Sequence, residues 1–217
     1  MQEDQGQLTM KTSATRRLVL GTFAALALTF GVSRAASAAE SATSFVSRLG
    51  TQLVAIVNSD LSSEQKKEKV LPLLQEDVDV DAIGRFCLGR YWRVATPEQQ
   101  TEYLKLFHQI LVNAITDKLG DYRGVSFTIG STTPSGEDQS VDAILHRPQQ
   151  PDANMQWIVS MAGGSPKVVD VIGEGASLRL TQRQDYASYI QRTGGKVDTL
   201  LSALQRQLEK HRAAKGD

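Results

Sequence analysis

The apolar residues in the first half of the chain recur at helical spacing. Phe45, Leu49 and Leu53 repeat every four residues, which places them on one face of a helix. Ser62, followed three residues later by Gln65, forms a capping-box pattern that predicts the start of a second helix. Further helices are predicted over residues 80–91 and, after the helix start Thr96-Pro97-Glu98-Gln99, over residues 97–119.

From residue 124 onward the pattern changes to the alternation typical of strands. Three segments alternate apolar and polar side chains, and a fourth is rich in β-branched residues. Short loops join the four segments, which predicts an antiparallel meander, and two helices over residues 178–192 and 197–211 follow. We therefore predict an α+β fold with a helical N-terminal half, a four-stranded antiparallel curved sheet and two C-terminal helices.

The chain opens with a segment typical of an export signal. Lys11, Arg16 and Arg17 form a basic head, and residues 18–32 are apolar apart from glycine and threonine. This apolar run is shorter than the roughly 20 residues that a membrane span needs. Small residues follow it, and Ala36-Ser37-Ala38 fits a cleavage site. We therefore predict a signal peptide over residues 1–38 rather than an anchor.

Two details of this leader stay open. Residues 1–9 are polar, so translation could start at Met10 instead. Arg16-Arg17 before an apolar run fits a twin-arginine (Tat) signal and equally the basic head of a general secretory (Sec) signal. On either route we expect the mature part, residues 39–217, to form a single domain.

Composition excludes several classes of function. The chain has 217 residues with 24 basic and 24 acidic side chains, and removing the leader leaves 20 and 22, a net charge of −2. This balance provides no drive toward nucleic acid and no polybasic segment for an anionic membrane. Cys87 is the one cysteine, so a disulfide within the chain is excluded and no lipid-acceptor cysteine follows the leader.

The mature sequence has no catalytic or metal-binding pattern. His108, His146 and His211 lie far apart, and none has a second ligand three or four residues away. Ser165 and Ser177 do not match the G-x-S-x-G nucleophile elbow and suit a turn and a helix cap. We predict no catalytic residue, no metal and no cofactor.

Three other features are assigned structural roles. Cys87, between Phe86 and Leu88, is predicted to be a small buried residue. Tyr91-Trp92 is predicted to plug the core. Glu174 lies between two glycines that allow unusual backbone angles, and we expect its carboxylate to bond backbone amides across the turn rather than a ligand.

Two blocks of sequence resemble a known family. One is V-V-D-V-I-G-E-G-A-S-L at residues 168–178. The other covers residues 81–92, includes Leu88-Gly89 before the tryptophan, and continues through the Thr96 helix start to Phe107. Their order and spacing resemble the MlaC or toluene-tolerance family of periplasmic phospholipid-binding transport proteins over residues 44–210. One family feature is missing, since residues 181–183 keep only the arginine of an aromatic-arginine pair.

The resemblance implies a lipid carrier of the periplasm. In such a carrier the acyl chains lie in an apolar cavity between sheet and helices, with the headgroup near solvent. The implied role is the soluble component of an ABC-type system that shuttles phospholipids between the outer and inner membranes and maintains outer-membrane lipid asymmetry. The implied partners are phospholipid, an inner-membrane ABC lipid transporter with a lipid-handling ring protein, and an outer-membrane lipoprotein complex.

One face of the predicted sheet supplies the candidate pocket wall, together with two helix residues. The proposed lipid-binding residues are Leu111, Phe127, Ile129, Val141, Leu145, Trp157, Val159, Val169, Val171 and Leu178. Two alternatives stay open: a carrier of another apolar lipid such as a hopanoid, and a small cone-shaped isomerase or hydratase. The enzyme would need a carboxylate or histidine on this face, and the inferred register places Asp142 and Asp170 on the other one.

Overall fold

The helices and strands predicted for the mature chain are present in the computed structural model, which describes residues 40–215. The predicted leader lies outside the described residues. The helices are α1 (Ala42–Asn58), α2 (Ser63–Asp77), α3 (Val80–Leu88), α4 (Pro97–Thr116), α5 (Leu178–Arg192) and α6 (Val197–Lys215). The strands are β1 (Ser126–Ser135), β2 (Asp138–His146), β3 (Ala153–Ser160), β4 (Lys167–Gly173) and β5 (Ala176–Ser177). No helix within residues 40–215 has both the length and the apolar character of a membrane span.

The predicted helix starts form as the sequence indicates. Ser62 accepts a hydrogen bond from the Gln65 backbone N–H, and the Gln65 side chain accepts one from the Ser62 backbone N–H. Thr96 and Gln99 make the same reciprocal pair at the start of α4. Each pair satisfies two backbone donors that a helix start otherwise leaves unbonded.

Two helices end earlier than predicted. Gly89 follows α3 with φ +58° and ψ −128°, so the α-helix stops at Leu88 and the chain continues as a 3₁₀ helix over Gly89–Arg93. Glycine alone adopts this backbone region readily. Similarly, α4 ends at Thr116, and a 3₁₀ turn over Leu119–Tyr122 leads to the sheet.

The sheet has five strands in the order β1-β2-β3-β4-β5, and all neighbours are antiparallel. The prediction of four strands missed β5, which pairs Ala176 and Ser177 with the end of β4. A tight turn at Glu174-Gly175 makes this pairing possible, with φ values of +49° and +81°. Such positive φ values suit a two-residue hairpin. The sequence pattern emphasised both flanking glycines, but Gly173 keeps ordinary strand geometry and Glu174 takes the left-handed conformation.

A β-bulge shifts the register between β3 and β4. Ile158 lies opposite Asp170, but Val159 lies opposite Val168, so Val169 is the extra residue. Val168 therefore joins Val159 on the face that packs against α1. The prediction placed Val169 on this face, because strict alternation cannot show a bulge.

The buried residues form three apolar clusters. The first lies among α3, α4, α5 and α6, with Tyr103 and Ile190 fully buried. The second lies between α1 and the sheet. The third joins the end of α1 to α2, α4 and the segment before β1. Val78, between α2 and α3, packs against all three clusters.

Cys87 and the neighbouring aromatic pair have the structural roles predicted for them. Cys87 is 1 % exposed, and its thiol donates to the Arg179 carbonyl oxygen over 3.5 Å. Tyr91 is buried, and Trp92 packs against the same first cluster. Burial raises the pKa of the Cys87 thiol to about 12.

We predict that Cys87 reacts with a maleimide only when the protein unfolds. The thiolate is the reactive form, and both burial and the raised pKa suppress it at pH 8. Mass spectrometry should show unlabelled native protein and singly labelled protein in urea. Rapid stoichiometric labelling of the native protein would contradict the buried position.

Candidate functional site

The second apolar cluster, between α1 and the sheet, includes or contacts five of the ten predicted pocket-wall residues. We call it the α1–sheet layer. Its buried members are Ala42, Phe45, Val46, Leu49, Val141, Val159 and Val168. Phe45, Val141 and Val159 have no exposed surface, so this layer is filled by side chains.

Close contacts join α1 to strand β1 of the sheet. A Cβ at Gly50 would lie 2.5 Å from the tip of the Phe127 ring, so only glycine lets the ring approach α1 this closely. The hydroxyl oxygens of Thr43 and Thr132 are 2.8 Å apart and join the start of α1 to β1. The small and short side chains at these positions therefore set the spacing between α1 and β1.

An ion pair and a hydrogen bond from a buried lysine hold α1 against α2. Arg48 contacts the buried carboxylate of Asp77 at 3.0 Å and the half-exposed carboxylate of Glu40 at 3.1 Å. Hydrogen bonds from Arg48 to Asp77 and then to Glu40 raise the pKa of this guanidinium. At the other end of α1, the buried Lys66 ammonium donates to the Val57 carbonyl oxygen over 2.8 Å.

The ten predicted lipid-binding residues do not all lie together. Val141 and Val159 are in the α1–sheet layer, and Ile129, Trp157 and Val171 pack against it. Phe127 lies against α1 at Gly50. The others lie elsewhere: Leu145 packs against the third cluster, Leu111 packs against the first, Val169 is buried outside all three, and Leu178 is 61 % exposed.

The α1 side of the layer is absent from the predicted pocket wall. Phe45 and Leu49 were predicted to form a helix stripe, but nothing in the pattern showed which surface that stripe would cover. Val46 and Val168 are absent from the predicted pocket wall, although Val168 is predicted as part of a buried strand. The position of Val46 directly after Phe45 was the one sequence feature that could have indicated its burial. The β-bulge shifts Val168 onto this sheet face, which the alternation of the strand does not reveal.

Open volume lies beside the layer rather than within it. A cleft of about 890 Å³ opens between α2, α4 and α6. The resemblance implied a cavity between sheet and helices, and of the sheet only Lys167 reaches this cleft. Its apolar lining is Leu74, Val78, Val80, Val112 and Leu208. Because Val78 also packs against the α1–sheet layer, the cleft and the layer adjoin.

Charged side chains of both signs line this cleft, and Asp79 and Asp81 are the acidic ones. Lys67, Lys167 and Arg212 line it, with His108 and His211. His108 Nε2 lies 2.7 Å from Asp81, and His211 Nε2 lies 2.8 Å from Asp117. A hydrogen bond from Lys215 to Asp117, supported by His211, holds the pKa of that carboxyl below its usual value. Each pair joins two helices of the cleft wall.

The carboxylates considered for catalysis have structural partners. Asp170 is buried and accepts hydrogen bonds from Ser177 Oγ at 2.5 Å and from the backbone N–H groups of Val171 and Arg179. Glu174 accepts one from the Asn154 backbone N–H at 2.8 Å, so it bonds a backbone amide as predicted, but on the neighbouring strand β3 and not across its own turn. Asp142 lies on the opposite sheet face, where bonds from Ser131 and then Gln156 lower its pKa.

The third histidine also has a carboxylate partner. His146 Nδ1 lies 2.9 Å from Asp152, and Nε2 lies 2.9 Å from the Thr128 hydroxyl. Within residues 40–215, no three histidine, cysteine or acidic side chains cluster as a metal site would require. The geometry of the described residues is that of an apolar layer with polar edges.

Comparison with known proteins finds the same family that the sequence blocks resemble. The family model described as MlaC protein matches residues 47–206, well over half of the chain. The intermembrane phospholipid transport system binding protein MlaC of Haemophilus influenzae is 22 % identical over 161 residues, which cover 68 % of this chain and 74 % of that protein.

A solved structure has the same fold. It is the phospholipid-binding protein from Ralstonia solanacearum in complex with a phospholipid, with a TM-score of 0.68 and 20 % sequence identity. The match covers 78 % of this chain and 97 % of that one. At this identity the likeness establishes the α+β fold.

We predict that Asp170→Asn destabilises the protein by roughly 2–4 kcal/mol. The substitution removes a buried charge from three hydrogen-bond donors and from the Arg179 guanidinium 3.5 Å away. Asp142→Asn is the matched control, because this half-buried carboxylate accepts only two side-chain hydrogen bonds, and it should cost under about 1 kcal/mol. Urea unfolding measures the free energy of unfolding of both variants. Equal losses in the two variants would show that the buried contacts of Asp170 contribute no extra stability.

Proposed function

Because the chain belongs to the MlaC protein family, we propose that it binds phospholipid and carries it between membranes. The α1–sheet layer is the observation that supports this proposal, because it is apolar on both sides and adjoins an open cleft. The acyl chains would occupy this layer, bounded by Phe127, Ile129, Val141, Trp157, Val159 and Val171. The headgroup would lie toward the cleft, where Lys67 and Lys167 supply positive charge.

The energetics favour an enclosed lipid over an exposed one. Two acyl chains of roughly 30 methylenes in all represent about 25 kcal/mol of exposure to water, at about 0.8 kcal/mol per methylene. Burial of Phe45, Val46 and Leu49 contributes roughly 1.5–3 kcal/mol each. Chains inserted beneath α1 would keep these side chains covered, so separating α1 from the sheet costs far less than leaving the lipid in water.

The filled layer implies that α1 moves when lipid enters. Phe45, Val141 and Val159 are fully buried, so side chains already occupy the position proposed for the acyl chains. We infer that α1 is the movable cover of the binding site and that the packed form is the empty state. The polar contacts of Arg48 and Thr43 would then hold the cover closed.

Transfer would need partners to give it direction. A bilayer and an apolar protein site solvate acyl chains about equally well, so exchange between them lies near balance. We propose that the exported protein works in the periplasm, with an inner-membrane ABC transporter and its lipid-handling ring protein at one end. An outer-membrane lipoprotein complex would serve as the partner at the other end.

Family membership and the site both argue against the enzyme alternative. MlaC proteins are transport proteins, and the carboxylates of Asp170 and Glu174 are hydrogen-bonded within the fold. The hopanoid alternative differs only in the cargo, so the bound lipid itself distinguishes it.

We predict that a disulfide between α1 and β1 blocks lipid loading. The Thr43 and Thr132 hydroxyl oxygens are 2.8 Å apart, so cysteines at these exposed positions are within reach of a disulfide. The variant Thr43→Cys/Thr132→Cys should take up at least tenfold less phospholipid from vesicles when oxidised. Reduction should restore uptake, measured by mass spectrometry of the re-isolated protein.

The single variant Thr43→Cys, treated with the same oxidant, is the matched control. It leaves α1 untethered and should load at least as much phospholipid as wild type, and buried Cys87 stays unmodified in both proteins. If the oxidised double variant loads as well as the reduced one, α1 is not the cover.

We also predict that the protein purified from the periplasm contains about one phospholipid molecule per chain. Solvent extraction and mass spectrometry identify the lipid. A hopanoid in its place would change the cargo assignment, and protein gently purified without any lipid would argue against the carrier function.

A further inference from the structure

The two sequence blocks that carry the family resemblance meet at a second, smaller cleft. Gly89 and Arg90 come from the first block, and Arg183 lies just after the second. All three line a cleft of about 290 Å³ between the 3₁₀ helix and α5, with Tyr91 and Gln191. This cleft is separate from the α1–sheet layer, and the carrier mechanism proposed above makes no use of it.

The Arg183 guanidinium is held in place by its surroundings. It stacks on the Phe86 ring, 5.0 Å from the ring centroid. Its Nε lies 2.9 Å from the position where a Cβ at residue 89 would be, so the guanidinium rests where only glycine leaves room. The positive φ of Gly89 reinforces this requirement.

Arg90 is positioned in a similar way. Its guanidinium lies 4.9 Å from the Tyr91 ring centroid and donates to the Tyr91 hydroxyl over 3.0 Å. Aromatic faces and a hydroxyl orient a guanidinium without neutralising it. Both arginines are therefore oriented while their charges stay available.

Neither arginine has an acidic partner among residues 40–215. No carboxylate oxygen of the described residues lies within 4.0 Å of Arg90 or Arg183, whereas Arg48, Arg85, Arg123 and Arg179 each have at least one acidic partner. Two uncompensated guanidiniums in one concave site create a local positive potential, although the net charge of the mature chain is slightly negative.

We propose that this cleft binds a phosphate group through Arg90 and Arg183. The forked guanidinium matches two phosphate oxygens at once. The cleft volume corresponds to about ten waters at roughly 30 Å³ each, which accommodates a phosphate group but not two acyl chains. The phosphate belongs either to a headgroup at a membrane surface, which would deepen the proposed function, or to a soluble phosphate ester.

Titration with inorganic phosphate tests the site. In wild type the backbone amide resonances of Gly89 and Arg90 should shift to saturation. The double variant Arg90→Gln/Arg183→Gln should bind at least tenfold more weakly, because two charge-assisted interactions are lost. Arg93→Gln is the matched control, since this exposed arginine of the same 3₁₀ helix does not line the cleft, and its affinity should stay within about twofold of wild type.

Sedimentation with vesicles of phosphatidylcholine and phosphatidylglycerol identifies the source of the phosphate. Vesicle binding that is lost in the double variant but kept in Arg93→Gln assigns the site to membrane headgroups. Vesicle binding that is equal in all three proteins, with the phosphate response lost in the double variant, assigns it to a soluble phosphate.

Two results would overturn the proposal: no saturable phosphate response in wild type, or the same response in the double variant. Circular dichroism checks that the variant is folded, and Arg183→Lys replaces it if it is not, since lysine keeps the charge but loses the fork. Bound lipid measured on the same protein reports the carrier function separately, so failure of this site and failure of the carrier are distinguishable.

Discussion

The junction between α2 and α3 is the contact on which the rest of the structure depends. Val78 follows α2 and forms an isolated parallel bridge with Val168, and the Asp79 backbone N–H donates to the Val168 carbonyl oxygen over 3.0 Å. The Asp79 side chain also caps α3. This junction covers the start of the free edge of β4, and β5 covers its end. Backbone pairing at residues 78 and 79 thereby joins the helices to the sheet, and Val78 packs against all three clusters.

Buried charged groups lie where separate elements meet. Asp77 receives Arg48 from α1, Lys66 donates to the end of α1, and Asp170 joins β4 to the start of α5. A buried charge without its partner costs several kcal/mol, so these contacts specify which elements pair. The middle of α1, in contrast, meets the sheet only through apolar side chains. Apolar contacts lack directional bonds, and the same surface can therefore pack against the sheet or against acyl chains.

Local features of the fold were predictable from the sequence. The capping residues Ser62, Thr96 and Ser177 start helices because their hydroxyls accept bonds from nearby backbone N–H groups. Such bonds depend on residues three positions apart, which the sequence displays directly. The strand alternation was predictable for a similar reason, since it too is a property of neighbouring residues along the chain. The bulge at Val169 and the two-residue strand β5 were not, because each depends on pairing with another strand.

The candidate site was likewise predictable only where it depends on local sequence patterns. Periodicity identified apolar faces on α1 and on the strands, since alternation and helical spacing are properties of the local backbone. It could not show that α1 covers the sheet, that Leu178 is exposed, or that Leu111 belongs to another cluster. Arg90 and Arg183 likewise come together only through the packing of α3 and the 3₁₀ helix against α5. Local hydrogen bonds and periodicity follow from neighbours along the chain, whereas the partner of each surface follows from contacts between distant segments.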